Sequence, residues 1–126
     1  MLEELSIVRL ASALTRHATV RHSVIADNVA NSDTPNFRAR DVRAFADYVN
    51  EGFTAKVTRA GHEGGARAIS RPDVINDPTS LMSPNGNSVS LEGEMVKAAQ
   101  AQGSHAMAQT IYRKVHDLMR LGLGRR

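Results

Sequence analysis

The first part of the chain constrains the fold most, because residues 1–31 contain neither Pro nor Gly and repeat their apolar positions at heptad spacing. Steps of four and three connect Ile7, Ala11, Leu14, Ala18, Arg21, Ile25 and Asn28. This pattern predicts a helix with a coiled-coil-like seam, and a helix of this length extends about 45 Å. Other apolar residues lie off the seam, so the helix carries more apolar surface than one antiparallel partner covers. A helix of a small bundle and a helix that contacts other subunits both account for this surface.

A second segment, near the C-terminus, also has helical periodicity. Ser88 or Ser90 can cap a helix that runs to about Leu121. One stripe steps by four and three through Leu91, Met95, Ala98, Gln102, His105, Gln109, Tyr112, His116 and Met119. A second stripe contains Met107, Ile111, Leu118 and Leu121. We expect the helix to pack through the first stripe, chiefly through Leu91, Met95, Gln102, Gln109, Tyr112 and Met119. For the two Gln residues, a buried role in fixing register and a solvent-facing helix side are equally good interpretations.

Between these segments, the stretch from Asp27 to Val42 ends the first helix and redirects the chain. Asn is the best residue after Gly for the left-handed conformation that closes a helix, so Asn28 or Asn31 is predicted to cap it. Pro35 fixes its own φ, lacks an amide donor and moves Thr34 out of the α region. The chain must therefore cross this point extended or in a turn.

The middle of the chain reads as a small mixed insert. Asp41 can cap a short helix that ends at Gly52, and residues 53–58 alternate apolar and polar side chains as a half-buried strand does. A second extended piece over residues 67–75 can pair with the first as a hairpin, with Pro72 limiting it to an edge. The predicted fold is mainly α, with long N- and C-terminal helices packed as a coiled-coil-like pair around this irregular insert.

The charge of the chain is unevenly distributed. The formal net charge is +3, and the excess lies beyond residue 90, where Arg120, Arg125 and Arg126 follow or end the predicted helix. Cations at a helix C-terminus complement the helix dipole, which we favour over a phosphate-binding patch because stacking aromatics and Gly loops are missing. No nucleic-acid partner is therefore expected.

Residue patterns typical of enzymes and cofactor sites are missing. The chain has no Cys, and its five His residues do not pair at the i,i+4 spacing of a helical metal site. The Gly-rich run Gly61-His62-Glu63-Gly64-Gly65 lacks the Lys-Ser/Thr that a phosphate loop requires. No stretch approaches the roughly 20 apolar residues of a membrane span. We expect no catalysis, no cofactor, no metal, no small-molecule substrate and no membrane-spanning segment.

Two blocks of sequence resemble a known family. Residues 30–39, Ala-Asn-Ser-Asp-Thr-Pro-Asn-Phe-Arg-Ala, are similar to the Ala-Asn-x-x-Thr-Pro-x-aromatic-basic-Ala signature of flagellar axial proteins. Residues 83–96 resemble the start of the C-terminal helix in the flagellar basal-body rod protein family, in particular its proximal-rod subunits. Asn36 stands where the family usually has Gly, Ser90 where it has Asp and Gly93 where Lys is common. The resemblance implies an assembly motif formed by Asn28, Ala30, Asn31, Thr34, Pro35, Phe37, Arg38 and Arg40.

The resemblance also implies an architecture and a role. Residues 1–40 and 88–126 would form the inner rod domain, and residues 41–87 the insert of short helix, hairpin and loop. Such subunits assemble helically with copies of themselves, with other rod proteins and with membrane-ring and export-gate adaptor subunits. They form a periplasmic rod in the bacterial flagellum basal body, transmit torque, enclose the export channel and leave the cytoplasm by type III export without a cleaved signal peptide. The alternatives are a basic helical nucleic-acid-associated protein and an export chaperone or adaptor.

Overall fold

The computed structural model describes residues 2–54 and 72–124. In chain order the elements are α1 (Leu2–Ala30), β1 (Arg40–Val42), α2 (Phe45–Thr54), β2 (Val74–Asn76) and α3 (Leu91–Gly122). The protein is mainly helical, as the two long periodic segments predict. The helices α1 and α3 pack antiparallel, because Asn28 of α1 contacts Glu94 while Ala11 lies beside Ala108.

Small residues dominate the seam between the two long helices. On α1, four of the seven predicted seam residues are buried, namely Ala11, Ala18, Ile25 and Asn28. On α3, the buried residues recur every seven positions, at Glu94, Ala101, Ala108 and Val115. Ala side chains let two helix backbones approach closely. The seam is therefore narrow, and large apolar residues on either side of it stay exposed.

The insert packs against a second side of α1. The His17 ring meets Phe45 and Tyr48 edge-on, at centroid distances of 5.5 and 6.1 Å. Its Nε2 also lies 2.7 Å from the carbonyl oxygen of Arg43. The hydroxyl of Tyr48 in turn accepts a hydrogen bond from the amide of Asp73 over 2.6 Å. These contacts hold α2 against α1 and the start of β2 against α2.

Two strands that lie between the long helices in the sequence form an antiparallel sheet, but they differ from the strands predicted. β1 pairs with β2 in the register Arg40 with Asn76, and Val42 with Val74. Of the predicted first strand, Phe53 and Thr54 lie in α2, and residues 55–71 lie outside the described residues. β2 starts at Val74, inside the second predicted extended piece, but its partner is β1, which precedes α2 in the chain.

Three local predictions need correction. Asp41 does not cap the short helix; it lies in β1, where its carboxylate accepts two hydrogen bonds from Arg21, of 3.0 and 3.1 Å. The short helix starts at Phe45 and continues past Gly52 to Thr54. At the end of α1, neither predicted Asn is left-handed; among the described non-Gly residues only Asn36 has a positive φ, of 61°. Ser90 is the N-cap of α3, and its hydroxyl accepts from the amide of Gly93.

Candidate assembly site

The predicted assembly motif begins at the end of α1 with a buried amide side chain. Asn28 donates through Nδ2 to the carbonyl of Arg40 (2.6 Å) and to Oε2 of Glu94 (3.1 Å), and its Oδ1 accepts from the amide of Arg40 (3.0 Å). Asn28 is 0% exposed and Glu94 1%. Buried polar groups are tolerated when each finds a partner. Asn28 thus ties α1, β1 and α3 together at one point.

The motif loop, residues 31–40, leaves α1 through tight turns. The carbonyl of Asp27 accepts both from Nδ2 of Asn31 (2.8 Å) and from the main-chain amide of Asn31 (3.1 Å). The amide of Thr34 donates to the carbonyl of Asn31 (3.1 Å), and its hydroxyl donates to Oδ1 of Asn31 (3.2 Å). Pro35 is exposed, and Asn36 takes the left-handed conformation that Asn tolerates better than most residues. This explains how Asn stands where the resembling family usually has Gly.

A second loop, the clamp turn of residues 83–88, holds the motif loop in place. The side-chain amide of Asn87 donates to the carbonyls of Asn31 (2.8 Å) and Thr34 (2.7 Å). Its side-chain oxygen accepts from the amide of Val89 (2.7 Å). Asn87 is buried. One amide side chain therefore fixes the start of α3 against the turn that follows α1.

Main-chain hydrogen bonds join the same two loops further along. The amide of Asn36 donates to the carbonyl of Asn85 (3.1 Å), and the amide of Ser88 donates to the carbonyl of Phe37 (3.0 Å). The hydroxyl of Ser88 accepts from the amide of Ala39 (2.8 Å). Because these bonds use backbone groups, the path of the motif loop depends on the clamp turn more than on its own side chains.

Gly86 is the residue of the clamp turn whose identity matters most. Its φ is +78°, a conformation that costs L residues energy. A Cβ built on Gly86 would collide with Oδ1 of Asn36 and lie 3.2 Å from its Cα. The two loops therefore approach each other through the one residue type that leaves space.

A charged cluster lies next to Asn28. The ammonium of Lys97 donates to Asp77 and, over 2.9 Å, to Oε1 of Glu94. Oδ1 of Asp77 also accepts from the amide (2.9 Å) and the hydroxyl (2.7 Å) of Thr79. All three charged side chains are largely shielded from solvent. Removing Lys97 would leave both carboxylates short of a partner, and removing either carboxylate would leave Lys97 short of one.

The protonation states of this cluster reinforce its charges. Burial on its own would raise the pKa of Asp77, but hydrogen bonds from Lys97 and Thr79 outweigh it and hold that pKa below its ordinary value. Burial would likewise lower the pKa of Lys97, yet the hydrogen bonds to Asp77 and Glu94 keep it above its ordinary value. The ion pair between Asp77 and Lys97 is thus stable across the neutral range.

The remaining motif residues lie at the surface. Ala30 and Arg38 are exposed, and Phe37 is half-buried. Arg40 forms an exposed ion pair of 3.6 Å with Asp27, a type worth little in water. Arg38 forms no ion pair with any residue of 2–54 or 72–124. The motif therefore divides into an inward set that shapes the loop and an outward set, with Pro35, that is available to other molecules.

The predicted packing residues of α3 lie beside the buried stripe rather than in it. All six are exposed, with Met95 at 73%, and three of them line grooves next to α1. They are Leu91, Met95, Gln102, Gln109, Tyr112 and Met119. Met107, Leu118 and Leu121 of the second predicted stripe are also exposed, on the other side. That the six residues pack stays a prediction, and within the chain small residues between the two stripes form the seam.

Sequence reasoning missed most of the inward contacts. It did not single out Asn87, Glu94, Lys97 or Asp77. Glu94 lies seven positions before Ala101 on the buried stripe. The usable signal was that heptad spacing, which places Glu94 in the seam opposite Asn28.

Within residues 2–54 and 72–124, no group of His, Asp or Glu side chains is arranged to hold a metal ion. No described helix has both the length and the apolar character needed to cross a membrane.

Comparison with known proteins identifies relatives of the chain. A family model described as flagella basal body rod protein matches residues 10–38, which span most of α1 and most of the motif loop. The flagellar basal body rod protein FlgB of Agrobacterium fabrum is 28% identical over 125 residues, covering 94% of this chain and 92% of that protein. FlgB of Bacillus subtilis is 31% identical over 99 residues, which cover 77% of this chain and 76% of that protein. FlgB of Salmonella typhimurium is 29% identical over 108 residues, which cover 72% of this chain and 73% of that protein.

Proposed function

The chain belongs to the FlgB family of flagellar basal body rod proteins, and on that premise we propose that the motif loop and the terminal helices make its contacts in the rod. The protein is a structural subunit of the flagellar basal body rod. It acts at the basal body together with other rod proteins. The alternatives of a nucleic-acid-associated protein and an export chaperone or adaptor are not favoured.

One observation carries the proposed mode of assembly, namely the amount of large apolar surface that α3 leaves uncovered. Met107 is 60% exposed, Leu118 59% and Leu121 68%, in addition to Leu91, Met95, Tyr112 and Met119 on the other side of the seam. Scattered exposed apolar residues are ordinary, but a contiguous surface of them marks an interaction site. α1 covers only one side of α3. Neighbouring subunits in a helical assembly would cover the rest.

The division of the chain follows from the same packing. We propose that residues 1–40 and 88–126 form the inner rod domain and that residues 41–87 are an insert on its outer side. The antiparallel pair of α1 and α3 supports the first unit. β1 and β2 join the insert to that pair, since the main-chain bond between Asp77 and Ala39 (3.0 Å) continues their ladder.

The assembly site consists of the outward residues of the motif loop. Pro35 and Arg38 are exposed at the turn that follows α1, and the clamp turn holds them in a fixed position. We assign them to contacts with neighbouring subunits, with Arg40 beside them. The buried Asn28 and the half-buried Asn31 serve the same site indirectly, because they set the path of the loop.

The proposal extends to the position of the subunit in the rod and to its mechanical role. We place it in the proximal, periplasmic part of the rod, next to membrane-ring and export-gate adaptor subunits, after type III export. There it would transmit torque, enclose the export channel and perform no catalysis. Its described surface supports this role through exposed apolar helices rather than through a cleft for a substrate.

Electron cryomicroscopy of purified basal bodies tests the proposal. Cells that lack this chain should yield basal bodies without a complete rod, and complementation should restore it. In the restored particles, density for the α1 and α3 pair should lie on the channel side and the motif loop at a contact between subunits. Complete rods in the deleted cells would contradict the function, and a motif loop facing solvent would contradict the assigned site.

A further inference from the structure

The surface between α1 and α3, on the side of the predicted packing stripe, forms a groove of two hollows with volumes of about 400 and 420 Å³. From α1, Ala11, Ser12 and Thr15 line the first hollow, and Ala18, Thr19 and Ser23 line the second. We call this surface the α1–α3 groove. Its α1 wall consists mostly of small side chains, so another backbone can approach it closely.

The two hollows repeat along the helices with a period of seven residues. Ala11 and Ser12 in one correspond to Ala18 and Thr19 in the other. The α3 wall repeats in the same way, from Gln102 and His105 to Gln109 and Tyr112. Seven residues advance a helix by about 10.5 Å. A further helix with heptad-spaced side chains matches such a surface, as in a three-stranded coiled coil.

The charge on the groove selects among possible helices. Arg16 and Arg113 line the first hollow from opposite helices, both are exposed, and neither pairs with an acidic residue of the described chain. No Asp or Glu lines either hollow. A helix with carboxylates flanking its small-residue or apolar face would neutralise these two guanidinium groups.

Among the helices of residues 2–54 and 72–124, a second copy of this chain supplies no such helix. Within α1 and α3, no two acidic residues are separated by three, four or seven positions, so neither helix presents an acidic row. In α2, Asp47 and Glu51 lie four apart, but both already pair with Arg43. On the premise of assembly in the rod, we propose that the α1–α3 groove binds an acidic amphipathic helix of a different protein, completing a three-helix contact.

Site-specific photo-crosslinking in motile cells tests this inference. A photo-crosslinking amino acid at Ser12 or Gln109 lies in the first hollow, and one at Val96, exposed on α3 outside both hollows, is the control position. Mass spectrometry of the crosslinked peptide identifies the partner segment. We expect the crosslinks at Ser12 and Gln109 to capture a helical segment of another protein that carries Asp or Glu at heptad spacing. The control position Val96 should not capture this segment. Crosslinks only to copies of this chain, or to segments without acidic residues, would overturn the proposal.

Charge variants supply the second arm. The double variant Arg16→Glu with Arg113→Glu should lower the crosslink yield from Gln109 about tenfold or more, whereas Arg16→Lys with Arg113→Lys should retain most of it. Lys114→Glu, exposed and outside both hollows, should leave it unchanged. Equal yields from all variants would refute the role of charge. If the unvaried chain is present in purified rods but gives no such crosslink, the groove proposal fails alone; if the chain is absent from the rods, the proposed function fails.

Discussion

Asn28 and Glu94 are 66 positions apart in the chain, yet the side-chain amide of Asn28 donates to the carboxylate of Glu94 over 3.1 Å, and both side chains are fully buried. The same amide also donates to the main chain of β1. One contact thus connects the last turn of α1 to the first turn of α3 and fixes where the redirected chain begins. The behaviour of the motif loop should depend on this pair.

Replacing Asn28 with Ala should destabilise the fold. The change leaves the carbonyl and amide of Arg40 and the carboxylate of Glu94 each short of a buried partner, and we expect a loss of about 3 kcal/mol. Urea unfolding followed by circular dichroism measures it. Gln100→Ala, at an exposed position of α3, is the control. A loss at Asn28 no larger than at Gln100 would show that the buried hydrogen bonds contribute little.

Two glycines give opposite predictions for the same substitution. Gly86→Ala should lower the free energy of unfolding by about 1–2 kcal/mol, because it places a Cβ at positive φ and against Asn36. Gly103→Ala, in α3 with open space around it, should raise it by about 0.5–1 kcal/mol. Thermal unfolding of the two variants distinguishes them. Similar shifts in the same direction would argue against the close approach of the two loops.

Acid should weaken the charged cluster. The pKa of Asp77 is lowered in the fold, so its contribution is full above the ordinary Asp pKa of about 3.9 and is lost as pH falls through the lower folded value. The pKa of Lys97 is raised, so its contribution is full below the ordinary Lys pKa of about 10.4 and is lost at higher pH. The contribution of this pair to the free energy of unfolding should therefore be constant at neutral pH and decline at both extremes.

The acid limb can be assigned with a single variant. Asp77→Asn should lower stability at neutral pH and make the decline below about pH 4 shallower. Urea unfolding at several pH values provides the measurement, with Asp33→Asn, exposed in the motif loop, as the matched change. An acid limb unaltered by Asp77→Asn would assign it to other carboxyl groups.

Pro35→Ala should impair assembly more than folding. Pro35 is exposed and fixes the direction of the motif loop, so the variant should remain folded and exported while motility declines. Swimming in soft agar and the amount of exported chain are the two measurements. Unchanged swimming would remove Pro35 from the assembly site.

Charge reversal separates the two arginines of the loop. Arg40 already pairs with Asp27, whereas Arg38 has no acidic partner among the described residues. If Arg38 contacts a neighbouring subunit, Arg38→Glu should reduce rod assembly more than Arg40→Glu does, with little change in thermal stability for either. Normal rods with both variants would favour plain solvation of these side chains.

The sequence predicted the elements better than their contacts. Heptad spacing located α1 and α3 because long periodic segments without Pro have few other solutions. It did not indicate which residues of α3 are buried within the chain, since hydrophobicity points to Met95 or Tyr112, whereas close packing selects Ala101 and Ala108. The hydrophobicity of a large residue does not show whether its side chain is buried within the chain or exposed for contact with another molecule.

The assembly site was predictable in part. The turn at Pro35 followed from local backbone chemistry, and the resemblance indicated both the motif loop and the block that contains the clamp turn. The hydrogen bonds of Asn87 and the pairing of β1 with β2 could not be found, because they join residues far apart in sequence. Asn36 was noted as a departure from the family, and its positive φ now gives the reason that Asn is tolerated there.

The clamp turn and the motif loop have a consequence for how such subunits can vary. The chain enters the insert just after the motif loop and returns to α3 just after the clamp turn. Two main-chain hydrogen bonds join these loops, and three more join the side chains of Asn87 and Ser88 to the main chain of the motif loop. The segment between the motif loop and the clamp turn therefore begins and ends at neighbouring positions in the structure. The middle segment can therefore change in length without moving the start of α3 relative to the end of α1.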